Sequence, residues 1–400
     1  MIVKPRTLAP GSPAFVALIA SLIAMTAMTI DINLPAIPAI ARDLGTSQTS
    51  AQLTVTLFFL GMAAGQAIYG SASDRFGRKP VLVTGIVLFI LTSIACAMAT
   101  DIRVLLALRI VQGFAAASGS VLGRAVVRDL FEGPQMARVM SFAMAAFVTV
   151  PIVAPSLGAL LLKLGSWRWV FVFLVAYGTL ILLLSTRWLV ESLPRPDPAA
   201  LQPGRLLRAW ARVFRARDTL VYGAIGTLIS GGLVVYLTNA PAVFMTTYGL
   251  SPDSFGLLFA AIAVCAVASN LANARLVRKV GLPRLVWLGI LVTGASIAAS
   301  LAALLSLWDS PWVLVLGFGG FFFGFGFVFS NGTALALQPH GAMVGTASAA
   351  VGVVQSVVPA AIASLVAAAY DGTAVPMLAA MLALVVAAGA IFAFTRRLPP

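Results

Sequence analysis

The sequence predicts an all-α integral membrane protein with twelve transmembrane helices in two six-helix bundles. Three observations lead there. Hydrophobic residues make up 60% of the 400 residues and charged residues only 10%, with a mean hydropathy of +1.02; a soluble domain carries roughly a quarter charged residues. The apolar residues come in runs long enough for a helix to cross a hydrocarbon core of about 30 Å. The two halves of the chain also echo each other.

The runs fall at 14–34, 51–70, 80–100, 103–124, 138–162, 167–190, 219–241, 253–273, 283–306, 311–333, 343–368 and 374–394. The first resembles a signal peptide, with Lys4 and Arg6 ahead of it and Ala39 and Ala41 behind. Its length, and the Pro35 and Pro38 that end it, favour an uncleaved span. With the N-terminus placed in the cytoplasm, most Lys and Arg fall on the inner side. Arg42, Arg103, Lys163 and Arg168 fall outside, and Arg109 is left within a span. This bias fits the positive-inside rule and predicts a multi-pass protein of the bacterial inner membrane with both termini cytoplasmic. It also accounts for the net charge of +14 without a nucleic-acid partner. Cys96 and Cys265 lie in apolar spans, which favours packing or free thiols over a disulfide.

The hydrophobic pattern divides the chain into 1–190, a linker 191–218, and 219–400. Pro194, Pro196, Pro198 and Pro203 keep the start of the linker extended. Arg205, Arg208, Arg212 and Arg215 then share one helical face, opposite Leu206, Leu207, Trp210, Val213 and Phe214. That pattern predicts an amphipathic helix on the anionic inner leaflet. Across the linker, Pro80-Val81-Leu82-Val83 is echoed by Pro283-Arg284-Leu285-Val286, and Pro155 by Pro359. Arg75 and Arg78-Lys79 are echoed by Arg275 and Arg278-Lys279. A repeat of six spans in one orientation predicts paired bundles that open a central substrate cavity to alternate sides.

Asp31 is the only one of twelve acidic residues inside a span. A carboxylate at that depth is expensive, so it is expected to face the protein interior and to serve a purpose, such as carrying a proton. Arg109 lies in span 4, about five residues from the outer edge, as Asp31 does in span 1. At 1.5 Å per residue this is a similar depth, on the order of 8 Å. A direct pair, a water-linked pair, or a static pair that only orders the bundle are all open.

The loop Gly70-Ser71-Ala72-Ser73-Asp74-Arg75-Phe76-Gly77-Arg78-Lys79 resembles the signature of the major facilitator superfamily, with Ala72 where Leu is usual. Its glycines allow a tight turn, and Asp74 can pair with a cation of a neighbouring span, Arg124 and Arg128 being available. The resemblance implies that Gly70, Asp74, Arg75, Gly77, Arg78 and Lys79, with Arg124 and Arg128, act as a conformational latch. Arg109, Gln112 and Gly113 are similar to the family's Arg-x-x-Gln-Gly element. Pro151, Pro155 and Gly158 in span 5 resemble its antiporter element, with Ala154 and Ala159 in place of glycines. Asp31-Ile32-Asn33-Leu34-Pro35-Ala36-Ile37-Pro38, Arg124 to Leu130, and Trp167-Arg168-Trp169 resemble the Bcr/CflA, bicyclomycin-resistance branch.

That branch implies a secondary transporter, not an enzyme, that exports small lipophilic drugs or toxic compounds in exchange for protons. Asp31 and Arg109 would then couple the proton. The alternative is a proton-coupled exporter of a defined metabolite, such as an amino acid or sugar, on the same fold. Gln66, Gln112, Tyr236, Asn239, Asn331 and Gln355 are candidate cavity residues. Phe318, Phe321, Phe322, Phe323, Phe325, Phe327 and Phe329 crowd span 10, where packing or lipid contact is the simplest role. His340, the only histidine, lies in the loop between spans 10 and 11 and is assigned no proton chemistry. The expected partners are a small molecule, protons and the lipid bilayer, with no cofactor beyond the coupling proton and no metal. A monomer is expected.

Overall fold

The computed structural model describes residues 11–306 and 309–395. Lys4, Arg6, Arg396 and Arg397, which contribute to the charge bias, lie outside them. All regular structure among the described residues is helical. In chain order the helices are α1 (Pro13–Asp31), α2 (Ile37–Asp43), α3 (Gln48–Phe76), α4 (Arg78–Ala97), α5 (Ile102–Leu130), α6 (Gly133–Leu162) and α7 (Arg168–Trp188). They continue with α8 (Pro203–Val213), α9 (Arg217–Pro241), α10 (Pro252–Val280), α11 (Leu282–Leu305), α12 (Pro311–Leu337), α13 (Val344–Ala368) and α14 (Val375–Thr395). Among the described residues, eleven helical segments are long and apolar enough to cross a membrane. The remaining long helix, α6, contributes the shorter apolar stretch Thr149–Leu162.

The chain packs as two compact units. One comprises Met1–Ala36 and Leu57–Arg208; the other comprises Ile37–Thr56 and Ala209–Pro400. In the first, α1 packs on α5 and α6, and α4 packs on α5 and α7. In the second, α9 packs on α12 and α13, and α11 packs on α12 and α14. The same pairing recurs in the same order, which is the internal repeat expressed as packing.

One backbone feature makes the repeat concrete. The break between α3 and α4 is a single residue, Gly77, at φ 97° and ψ 151°; that between α10 and α11 is Gly281, at φ 85° and ψ 154°. Only glycine takes such angles without strain. Their separation, 281 − 77 = 204, matches the offset between Pro155 and Pro359, each of which sits inside its helix. The second turn repeats the backbone but not the chemistry. By the same offset Arg78 corresponds to Leu282, and Arg275, Arg278 and Lys279 form no ion pair among the described residues.

Two expectations are corrected. The segment from Gly70 to Phe76 is not a loop: α3 runs through it, and Gly70 is an ordinary helical residue. The linker helix α8 also does not present its whole apolar face to lipid. Val213 is buried against Ala347 and Ala350, with Trp210, Phe214 and Leu337 packed around them, while Leu207 stays exposed. Long apolar side chains near the end of α8 find a protein surface of small residues on α13, which excludes water as well as lipid would.

Small residues set the helix spacing in the first unit. A Cβ on Gly61 of α3 would overlap the Ile110 carbonyl of α5, and one on Gly113 of α5 would overlap the Phe58 carbonyl of α3. Reciprocal glycines let the two backbones touch, as small residues do between membrane helices. We expect Gly61→Val to force α3 from α5 and to destabilise the protein by about 1–3 kcal/mol, read as a lowered melting temperature of the detergent-purified protein.

Candidate functional site

The first cluster forms where α3 ends. Asp74 and Arg78 lie one helical turn apart across the Gly77 break, so their side chains meet: Arg78 Nη1 is 2.6 Å from Asp74 Oδ1. Arg78 Nε reaches Asp129 Oδ2 of α5 at 2.8 Å, and Nη1 also donates to Ser73 Oγ at 2.6 Å. The guanidinium is only 4% exposed. The cation that holds Asp74 is therefore Arg78 of its own motif, rather than Arg124 or Arg128. Those two are exposed on α5, and the turn of the helix brings Asp129 inward instead. Arg75 stacks on the exposed ring of Phe76 at 5.1 Å, and Lys79 Nζ donates to the Thr186 carbonyl at 2.8 Å.

Glu191, at the start of the linker, completes this cluster. Its carboxylate accepts from the backbone N–H of Arg78 at 2.9 Å, Lys79 at 3.0 Å and Leu193 at 2.9 Å. It thus caps α4, where the orphan amides and the helix dipole favour an anion. The Asp197 amide donates to the Asp74 carbonyl at 2.8 Å, Ser192 Oγ donates to Asp129 at 3.2 Å, and Arg205 pairs with Asp197 at 2.6 Å. The opening of the linker is strapped onto the motif. Sequence reasoning missed Glu191 because an acid just past a span reads as an ordinary loop residue.

The second cluster surrounds Asp31, the last residue of α1. Gly119 of α5 leaves room for the Leu22 carbonyl, Gly123 for Ile23, and Gly158 of α6 for the Ile32 carbonyl. Gly119 and Gly123 thus let α5 approach α1 more than two turns before its end, and Gly158 lets α6 approach the residue just past it. Asp31 is 4% exposed and has no hydrogen-bond or ion-pair partner among the described residues. A direct ion pair between Asp31 and Arg109 is therefore not formed. Arg109 is fully buried, donates from Nη1 to Gln112 Oε1 at 2.6 Å, and lies over the rings of Phe58 at 4.6 Å and Phe171 at 5.9 Å. Gln112 in turn donates to Ser93 Oγ at 2.8 Å. Cation–π contacts and a hydrogen-bonded amide give the guanidinium a protein environment without a direct contact to Asp31.

The candidate cavity residues divide by whether their polar atoms are already used. Gln112 is committed to Arg109 and Ser93. Asn239 donates to the Val235 carbonyl at 2.9 Å, and Asn331 donates to Asn273 Oδ1 and the Phe327 carbonyl, both at 2.7 Å. Gln112 thus uses both its polar atoms, and Asn239 and Asn331 use their Nδ2, within their units. Gln66 Oε1 and Gln355 Nε2 are without partners. The Tyr236 ring packs against Phe318 at 4.8 Å and Phe322 at 5.1 Å. Phe318, Phe321 and Phe327 are buried, so much of the span-10 stripe packs inside its unit. His340 is buried and 2.7 Å from Thr219 Oγ1, whose hydroxyl donates to the Ala336 carbonyl; its ring joins α9 to the end of α12. Pro151 and Pro155 lie within α6, about two turns and one turn before Gly158. Cys96 and Cys265 are free thiols.

The strapped turn is open to two tests. Burial opposes the charge of Glu191, but the amides of Leu193, Arg78, Lys79 and Ser192 outweigh it and hold the carboxyl below its ordinary value of 4.5. A depressed carboxyl stabilises the fold above that pH, and the contribution fades as pH falls through the lower folded value. Glu191→Gln is expected to lower the melting temperature at pH 7 and to flatten its fall between roughly pH 5 and 3, measured by thermal denaturation in detergent. Gly77→Ala faces both its positive φ and Glu191 Oε2, which lies 2.7 Å from the added Cβ. It should cost about 1–3 kcal/mol, seen in the same assay.

Comparison with known proteins agrees with this geometry. Residues 17–364 match the model of the Major Facilitator Superfamily. The chain is 32% identical over 358 residues to a Bicyclomycin resistance protein homolog of Haemophilus influenzae, covering 89% of each chain. It is 28% identical over 353 residues to Multidrug resistance protein D of Escherichia coli, covering 86% of each. Among solved structures, a D-xylose-proton symporter superposes with a TM-score of 0.75 at 16% identity, over 97% of this chain and 98% of that one, which speaks to the fold alone. By the extent of the family match and the likeness to its relatives, the chain belongs to the major facilitator superfamily and is a multi-pass secondary transporter rather than an enzyme.

Proposed function

We propose that this protein exports small drugs or toxic compounds across the bacterial inner membrane by alternating access, with both termini cytoplasmic, and that protons entering on Asp31 drive the export. Relatives named for bicyclomycin and multidrug resistance support the substrate class. The observation that carries the coupling is the state of Asp31: a buried carboxyl at the end of α1 with no cation paired to it. An isolated carboxylate in apolar surroundings is relieved of its cost by taking up a proton. Asp31 then binds a proton from the outer side, gives it up on the inner side, and exchanges that event for release of the compound. Arg109, held by Gln112 and two rings, supplies a fixed positive field rather than a pairing partner. The protein works as a monomer, and the Asp74–Arg78–Asp129 cluster sets how readily its conformation changes. A membrane potential contributes about 2.3 kcal/mol per charge per 100 mV, enough to drive export of a neutral compound.

In proteoliposomes with an imposed pH gradient, Asp31→Asn should abolish gradient-driven movement of the compound while leaving its energy-independent exchange. Coupled transport at the wild-type rate in the variant would reject Asp31 as the carrier.

A further inference from the structure

A groove of about 610 Å³ opens beside the charged turn of the first unit, between the end of α3, the start of α4, the end of α7 and the opening of the linker. The coupling scheme does not use it. Its walls are largely apolar, supplied by Phe76, Pro80, Val83, Leu193 and Pro196, and the Phe76 ring, although it forms one wall, leaves 59% of its residue surface uncovered. The wall continues along α4, where Val87 and Leu91 follow Val83 at i+4 and i+8 and so share its face. Both are exposed, as is Leu183 of α7, one turn before the groove's Thr186. In a chain that spans a membrane, an exposed apolar strip of this kind lies against acyl chains. The groove is therefore the end of a lipid-facing strip, at the point where that strip meets charge.

The charge there is positive. Lys79 lines the groove, and its Nζ is held at the edge by the Thr186 carbonyl at 2.8 Å, a bond that takes one of three ammonium donors. The Arg75 guanidinium stands over the Phe76 wall, 5.1 Å from the ring centre. Neither cation forms an ion pair among the described residues. The acid in the lining, Glu191, is turned onto the amides of Arg78, Lys79 and Leu193. We propose that the groove takes an anionic phospholipid, with its phosphate on Lys79 and Arg75 and the start of one chain along Phe76 and Val83 toward Val87. Cations alone suit any anion, and an apolar wall alone suits any chain; the two together select an amphiphile with a negative headgroup. Such a lipid touches Phe76 and Lys79 on either side of the Gly77 break and Leu193 of the linker, so the strapped turn is held more firmly in an anionic membrane. This inference does not depend on the compound exported.

The test uses the full chain in a neutral detergent, titrated with phosphatidylglycerol while its melting temperature is followed. A saturable rise is expected. Arg75→Gln and Lys79→Gln should each raise the half-saturating lipid concentration about fivefold. Val83→Phe, which fills the groove and leaves its charge alone, should raise it too. Arg278→Gln removes an exposed cation near the end of α10 and should leave it unchanged. An equal loss in Arg278→Gln would overturn the site in favour of diffuse attraction. An equal rise with phosphatidylcholine would overturn the role of headgroup charge, and an equal rise with inorganic phosphate would overturn the role of the chain. No rise with phosphatidylglycerol overturns the proposal outright. Displacement of a spin-labelled phosphatidylglycerol is read in parallel, so a variant whose lipid-free melting temperature falls is still judged by its binding.

Discussion

Moving an ion from water into an apolar interior costs several kcal/mol even after relaxation, and this sets where every charged side chain of the chain can lie. Three buried charges meet the constraint in three ways. Arg78 is held between Asp74 and Asp129, with Ser73 taking a further donor. Arg109 gains an amide oxygen and two ring faces. Asp31 has neither kind of support. The first two are positions where the charge is fixed; the third is a position where a change of protonation changes the energy most.

The contrast depends in turn on close backbone contact. α1 is pressed between α5 and α6 because Gly119, Gly123 and Gly158 carry no side chain at the points of approach. The last residue of α1, Asp31, is buried, and Gly158 meets the carbonyl of the residue after it. The glycine of the antiporter-type element thus has a definite physical role, since it meets the backbone one residue beyond the acid. Pro151 and Pro155, inside α6, lack the N–H that would bond carbonyls one turn earlier.

Much of this was legible in the sequence, and the rest failed for definable reasons. The spans, the linker, the half-chain repeat and the motif near Asp74 follow from hydropathy and spacing, which depend on neighbours in the chain. Asp31 followed from the rarity of acids in hydrocarbon. A direct pair with Arg109, one of the open readings, is not made, because similar depth says nothing of which way a helix faces. The partner of Asp74 was misassigned for a related reason: Arg128 and Asp129 are adjacent, but about 100° of helical rotation separates them, and only Asp129 faces Arg78. Glu191 was invisible because its contacts with Arg78 and Lys79 join residues more than a hundred positions apart.

The two halves share a backbone turn but not its charge, and that asymmetry bears on control. At Gly77 the turn is gripped by Glu191 and framed by Asp74, Arg78 and Asp129; at Gly281 a Cβ would meet nothing within 4 Å. Every acid of this network lies in the first half or at the start of the linker, which leaves the second turn plain. The linker is then more than a tether: its first residues belong to the charged network of the first unit, and its last apolar residues are seated on α13 of the second.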